Sequence, residues 1–185
     1  KVWNEAINIG SASELLSAKM QQHLLQLRDA LGFKYVRMAN IFSWDMKLRK
    51  DRTSRKLNFE YMDNVLDFVV THKMKPLIEF GDKPKRVFKN LTTIIYMEED
   101  EPVFQSMDES QWMLEKFMEH VVMRYGVDEV EQWMFDNWND DRMERTNGCY
   151  DYFLAFDMTC DVIKAKAPLA KVGGCGLELG SDHRH

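Results

Sequence analysis

Glu131-Gln-Trp-Met-Phe-Asp-Asn-Trp-Asn-Asp-Asp141 is an apolar, aromatic-rich run that breaks off into carboxylates and amides. A run this short, bounded by turn chemistry, predicts a strand over Glu131 to Trp138 buried on both faces, as in a parallel sheet. A helix would need at least about ten residues. The polar end is then a strand mouth. Folds built from parallel strands place their chemistry at the carboxyl ends, so Asp136, Asn139, Asp140 and Asp141 are the first candidates for function. The competing reading is a strand followed by an acidic loop, with the Asn-Asp pair capping the next helix.

Working outward, the chain alternates short apolar runs with amphipathic stretches. Ala6 to Gly10 predicts strand one; Ser11 and Ser13 are candidate starts for a helix reaching about Leu31, with Leu24, Leu27 and Leu31 inward and Gly32 as its stop. Phe33 to Phe42 predicts strand two, whose far end carries Arg37 and Asn40. Ser43 to Lys56 reads as a solvated connection that holds the main basic cluster, Lys47, Arg49, Lys50, Arg52, Arg55 and Lys56. A second helix follows from Asn58, its candidate N-cap, to about Met74, with Met62, Val65, Leu66 and Val69 on one face. Lys75 to Gly81 predicts strand three, with Pro76 tolerated near its start and Glu79 near its carboxyl end. The stretch from Asp82 to Met107 lacks clear periodicity and reads as a functional loop or an insertion.

Beyond the stretch, a third helix is predicted from Ser110 to Tyr125 on Leu114, Phe117, Met118 and Val121, closed by Gly126. A fourth runs from Tyr150 to Ala165, with Phe153, Phe156, Cys160 and Ile163 inward. Lys171 to Gly176 supplies strand five. Four helices alternating with five short strands predict consecutive βα units and a parallel sheet. The doubly wound alternative normally carries a glycine-rich first turn, whereas Ile9-Gly-Ser-Ala-Ser13 has one glycine, so a barrel is favoured. A full eight-stranded barrel takes about 250 residues. Residues 1–185 are therefore expected to form one domain, an incomplete (β/α)8 TIM barrel of about five units.

Composition excludes several classes of function. With 45% hydrophobic residues the chain can bury a core, and its 25 basic against 30 acidic residues leave a net charge of −5 and no broad cationic face for nucleic acid. Cys149, Cys160 and Cys175 are unpaired in number and widely spaced, which indicates neither a disulfide framework nor a zinc site. No apolar run approaches the roughly 18 residues a membrane span needs. The expectation is a cytoplasmic protein without metal or cofactor. His23, His72 and His120 fall on three different predicted helices and read as structural, and most of the 13 methionines read as core filling. Trp138 and Trp44, near strand mouths, are candidate stacking surfaces, with a packed core tryptophan the equal alternative.

Tyr35-Val-Arg-Met-Ala-Asn-Ile-Phe-Ser43, Lys75-Pro-Leu-Ile-Glu-Phe-Gly81, Arg124-Tyr-Gly126, Trp133-Met-Phe-Asp-Asn-Trp-Asn-Asp140 and Lys171-Val-Gly-Gly174 together resemble successive blocks of glycoside hydrolase family 39, the β-xylosidase family. The resemblance runs in order over nearly the whole chain. In that family the fourth strand ends in Trp-Asn-Glu-Pro, where Asn contacts the sugar 2-hydroxyl and Glu is the general acid/base. Asn139 and Asp140 take those positions here, and Asp141 replaces the proline. The resemblance also places Arg37 and Glu79 on the floor of the site, and puts Ala39 where the family has a sugar-binding histidine. The family's nucleophile lies on a seventh strand, which these residues do not reach.

Retaining glycosidases work with two carboxyl groups about 5–5.5 Å apart. Aspartate is one methylene shorter than glutamate, so Asp140 holds its carboxyl roughly 1.5 Å back. Errors of about 1 Å can cost about 100-fold in rate. The missing histidine, the altered Asn-Glu pair and the Lys83-Pro-Lys-Arg86 turn resemble most the family 39-like domains joined to AraC-type transcriptional regulators. That branch implies a sugar-sensing or interaction module that is not hydrolytic, with DNA binding in a separate domain. The alternative is a retaining β-xylosidase with Asp140 as general acid/base. Either way the implied ligand is a pentose or xylo-oligosaccharide, held by Arg37, Glu79, Trp138 and Asn139. Open sheet edges are expected to favour self-association.

Overall fold

The computed structural model describes residues 4–51, 53–80, 85–88, 94–97, 106–137 and 149–174, with backbone alone at 85–88, 94–97 and 149–152. They belong to two compact units, Lys1–Gln105 and Ser106–His185.

The first unit runs β1 (Ala6–Ser11), a 3-10 turn (Ala12–Leu16), α1 (Ala18–Leu31), β2 (Tyr35–Ala39), a second 3-10 turn (Trp44–Met46), α2 (Glu60–Thr71), β3 (Lys75–Phe80), β4 (Lys85–Phe88) and β5 (Ile94–Met97). β1, β2 and β3 are parallel neighbours in chain order. Their register sets Asn8, Arg37 and Leu77 in one row across the sheet. Val36, Met38 and Ile78 point to one face and are fully buried, while Arg37, Leu77 and Glu79 fall on the other by the two-residue period. One face is thus wholly apolar. The other carries the charge.

In the second unit come α3 (Met107–Tyr125), α4 (Val127–Val130), β6 (Met134–Asn137), α5 (Cys149–Lys166) and β7 (Lys171–Gly174). β6 and β7 pair in parallel, Met134 against Lys171 and Asn137 against Gly174. Parallel strands can be joined only by a long crossover, and each crossover between sheet strands contains a helix. The fold is that of an incomplete (β/α)8 barrel, as the alternation of patterns predicts.

The helices form for the reasons their sequences state. Met62, Val65, Leu66 and Val69 make the buried stripe of α2, each fully enclosed and each contributing about 1.5–3 kcal/mol of burial. Leu114, Phe117, Met118 and Val121 do the same for α3, joined by Met113. Gly32 ends α1 in the left-handed region at φ 77°. Asn4 Nδ2 donates to the Leu31 carbonyl there at 2.8 Å, and Arg28 Nη1 to the His72 carbonyl at 2.9 Å, tying the ends of α1 and α2 together.

Several expectations are corrected. The first helix is not continuous: Ser17, extended at φ −82° and ψ 123°, separates the 3-10 turn from α1, and the break lets Ala12 and Leu15 reach the core. Of its expected stripe, Leu24 is buried, but Leu27 and Leu31 are exposed at 41% and 36%. β2 is shorter than Phe33 to Phe42, because Asn40 turns left-handed at φ 57° and ends it. Phe59, not Asn58, is the cap position of α2, although Asn58 Oδ1 still accepts from the Glu60 amide at 3.1 Å. α3 starts at Met107, one turn before Ser110, with Ser106 as its cap. The stretch 82–107 contains the antiparallel pair β4–β5, Lys85 facing Met97 and Phe88 facing Ile94. On α5 the described buried positions are Ala155, Thr159, Val162 and Ile163: Ile163 is inward as expected, whereas Phe156 and Cys160 are only half-buried and Phe153 is 57% exposed.

Candidate site at the strand mouths

Arg37 on β2 and Glu79 on β3 meet in an ion pair of 2.5 Å between Nη2 and Oε2. Arg37 stands opposite Leu77, and Glu79 lies two residues further along β3 on the same face, so the guanidinium reaches diagonally toward the carboxyl ends. The Glu79 side chain is 1% exposed and that of Arg37 is 24% exposed. A carboxylate so deep is tolerable only with a charge partner, and the arginine supplies one.

Beyond the pair, both strand ends are fixed by a polar network. Asn40 Nδ2 donates to Ser11 Oγ at 3.0 Å, linking the end of β2 to the end of β1. The Ser43 hydroxyl lies 2.8 Å from the Asn40 carbonyl oxygen and also meets the Asp45 carboxylate, whose other oxygen accepts from Ser13 Oγ at 2.7 Å. Asn40 tolerates its positive φ better than most residues would. Phe42, past the end of β2, and Phe80, the last residue of β3, stack at 5.7 Å with their rings within 10° of parallel. Pattern reading missed this aromatic pair because it spans two strand ends far apart in sequence. The signal was that each lies at or just beyond the end of a strand carrying a site residue.

The structure brings Arg37 and Glu79 together. Trp138, Asn139, Asp140 and Asp141 lie outside the described residues. Asp136 is half-exposed on β6, beside Gly173 of β7, and its neighbour Asn137 is buried. Trp44 is half-buried and one face of its indole carries the Arg49 guanidinium at 5.5 Å, so that face is taken. His72 is structural: Nδ1 lies 2.7 Å from the Phe68 carbonyl and the ring packs on Phe68. A guanidinium and a carboxylate are groups that can hydrogen-bond a hydroxyl-rich ligand; Phe80, two residues after Ile78, falls by the same period on the opposite face of β3 from Glu79.

Comparison with known proteins bears on the fold and the family. The chain is 26% identical over 192 residues to a β-xylosidase of Geobacillus stearothermophilus, an alignment covering 98% of this chain and 38% of that protein. A β-xylosidase of Caldicellulosiruptor saccharolyticus is 26% identical over 179 residues, covering 94% and 37%. Among solved structures, a monomeric β-xylosidase from Caulobacter crescentus CB15 superposes with a TM-score of 0.76 at 27% identity, over 93% of this chain and 36% of that one. The chain thus spans little more than a third of the proteins it resembles. The model of glycosyl hydrolases family 39 matches residues 1–184, and the chain belongs to that family.

Proposed function

We propose that the chain supplies the substrate-holding first part of a family 39 β-xylosidase, which binds a β-xyloside at the carboxyl ends of its parallel strands. The observation that carries the reading is the ion pair of Arg37 with the buried Glu79 at neighbouring strand ends, in a chain similar to two curated β-xylosidases. Asp140 is the proposed general acid/base, Asn139 the partner of the sugar 2-hydroxyl and Trp138 a stacking surface. Arg37 and Glu79 form the floor. A proton must reach the leaving oxygen as the glycosidic bond breaks, and Asp140 is the family-matched carboxyl for that step. The test is release of nitrophenol from an aryl β-xyloside by a protein that carries these residues together with the family's seventh strand, since residues 1–185 alone hold at most one of the two carboxyl groups. Asp140→Asn should abolish it; hydrolysis unaffected by that change would sink the assignment.

A second reading is favoured by one observation, that Ala39 and Asp140-Asp141 stand at family histidine and Glu-Pro positions. There the chain is a sugar-sensing module of an AraC-type regulator, and the pocket binds without hydrolysing. Calorimetry with xylobiose separates the two. Binding lost on Asn139→Ala, with no nitrophenol released by the unaltered protein that includes the seventh strand, would favour the sensor.

A further inference from the structure

The register of β1 on β2 shifts partway along the pair. Asn8 stands opposite Arg37, and an unbroken strand would bring Gly10 opposite Ala39, but Ser11 takes that place. The extra residue is a β-bulge: Gly10 is left-handed at φ 85°, and its amide donates to the Asn8 side-chain oxygen at 3.0 Å. A shift of one residue moves a side chain to the other face, so the bulge turns Ser11 onto the face that Asn8, Arg37 and Glu79 share. Met38 pairs with Ile78, and the next step along that register sets Ala39 beside Glu79. Ser11, Ala39 and Glu79 therefore form one row across the carboxyl ends of β1, β2 and β3. Adjacent strands lie about 4.8 Å apart, which puts about 10 Å between the serine and the glutamate backbones, with the alanine methyl between them.

The Ser11 hydroxyl is oriented from the β2 side. Asn40 Nδ2 donates to its oxygen at 3.0 Å, and among the described residues the hydroxyl itself donates to no protein group. A hydroxyl has one proton and two lone pairs; the amide occupies a lone pair and leaves the proton directed away from it. Asn40 is held in turn, left-handed at the end of β2 with its carbonyl oxygen accepting from the Ser43 hydroxyl at 2.8 Å. The stretch beyond it is anchored rather than solvated, since Met46 and Leu48 are 1% and 3% exposed. Ser11 is half-buried, so its donor is preset by the fold yet within reach of a ligand. Bulges recur next to active sites, where they re-aim a side chain. A donor at one end of the row and the Arg37–Glu79 pair at the other suit a sugar ring, which carries hydroxyls on opposite sides.

We propose that Ser11 is a ligand-binding residue of this site, donating its proton to a ring hydroxyl of the bound β-xyloside; the inference rests on the β-xyloside reading of the Arg37–Glu79 floor. The test is isothermal calorimetry with phenyl thio-β-xyloside, which resists hydrolysis, on a protein that carries these residues together with the seventh strand. The monodeoxy forms of that ligand, each lacking a different ring hydroxyl, are measured beside it. Ser11→Ala should weaken binding of the parent ligand about fivefold, as expected for one hydrogen bond between uncharged groups, and Ser11→Thr, which keeps the hydroxyl, should restore it. With one monodeoxy form the Ser11→Ala loss should vanish, because the partner of the hydroxyl is gone, and with the others it should persist. Unchanged affinity in Ser11→Ala would overturn the assignment. The same loss with every monodeoxy form would overturn it too, leaving Ser11 a support for Asn40 alone. No binding by the unaltered protein would remove the β-xyloside reading along with it, so the two failures are told apart.

Discussion

Arg37 and Glu79 are held by an asymmetry: the acid is almost wholly enclosed and the base is not. Removing the arginine leaves a buried charge without its principal compensation, which typically costs about 3–5 kcal/mol, whereas replacing both partners by apolar groups of similar volume is often neutral. Arg37→Met should therefore destabilise the protein by about 3 kcal/mol in urea denaturation, and Arg37→Met with Glu79→Leu should recover most of it. A single-variant loss below about 1 kcal/mol would show the pair to be a surface-type bridge instead. Cys160 offers a second test at this scale. Burial pushes its thiol above the ordinary range, and the negative charges of Asp157 and Asp161 push it the same way. The thiol form is thus favoured at neutral pH. In a Cys149→Ser/Cys175→Ser background Cys160 should react slowly with a disulfide reagent, faster as pH rises into the alkaline range. Asp161→Asn, which removes one of the repelling charges, should speed the reaction at a fixed pH near 8; an unchanged rate would show burial to be the whole cause.

At the scale of elements, the end of α2 is closed by a residue poorly suited to the task. Lys73 is left-handed at φ 61°, its amide donates to the Val70 carbonyl at 2.9 Å and the Met74 amide to the Val69 carbonyl at 3.1 Å. That is the Schellman arrangement with its hydrophobic pair, Val69 and Met74 both fully buried, but with lysine where glycine is usual. Lys73→Gly should stabilise the protein by about 0.5–1 kcal/mol, seen as a raised denaturation midpoint with an unchanged slope. At the start of α3, Ser106 Oγ accepts from the Glu109 amide at 3.2 Å, and Ser106→Ala should cost about 1 kcal/mol. Ser106-Met-Asp-Glu109 is a capping-box sequence, so this boundary was written in the chain; taking Ser110 as the start overlooked it. The faces of α2 and α3 were readable because their apolar residues keep to one stripe. That of α5 was not, since Phe153, Leu154, Ala155 and Phe156 are apolar in four consecutive phases and only packing selects among them. β4 was hidden by its basic start at Lys85-Arg86, which reads as loop. The Arg37–Glu79 contact could not follow from periodicity, which gives a face but not a partner; its candidates came from resemblance and its geometry from the register of β2 on β3.

Among the described residues, several large apolar side chains are exposed. Leu27 and Leu31 on α1, Phe153 and Leu154 on α5, and Leu169 at 75% are all exposed, and the chain covers 38% of the length of its Geobacillus relative. β1 differs from a central strand in the same sense. Parallel strands inside a sheet are buried on both faces, as β2 is, yet the residues of β1 alternate between exposed and half-buried and none is enclosed. A strand of this kind presents backbone donors and acceptors that another strand can satisfy, and nearby exposed leucines add an apolar contact to the pairing. Residues 1–185 produced on their own are therefore expected to self-associate. Sedimentation velocity should give a mass that rises with concentration, and Ala6→Lys, which sets a charge at an exposed position of β1, should shift the distribution toward monomer without altering the helical circular dichroism. A monomer at every concentration would show that β1 is already protected, and association indifferent to Ala6→Lys would move the contact to the leucines of α1, where Leu27→Glu is the next variant to measure.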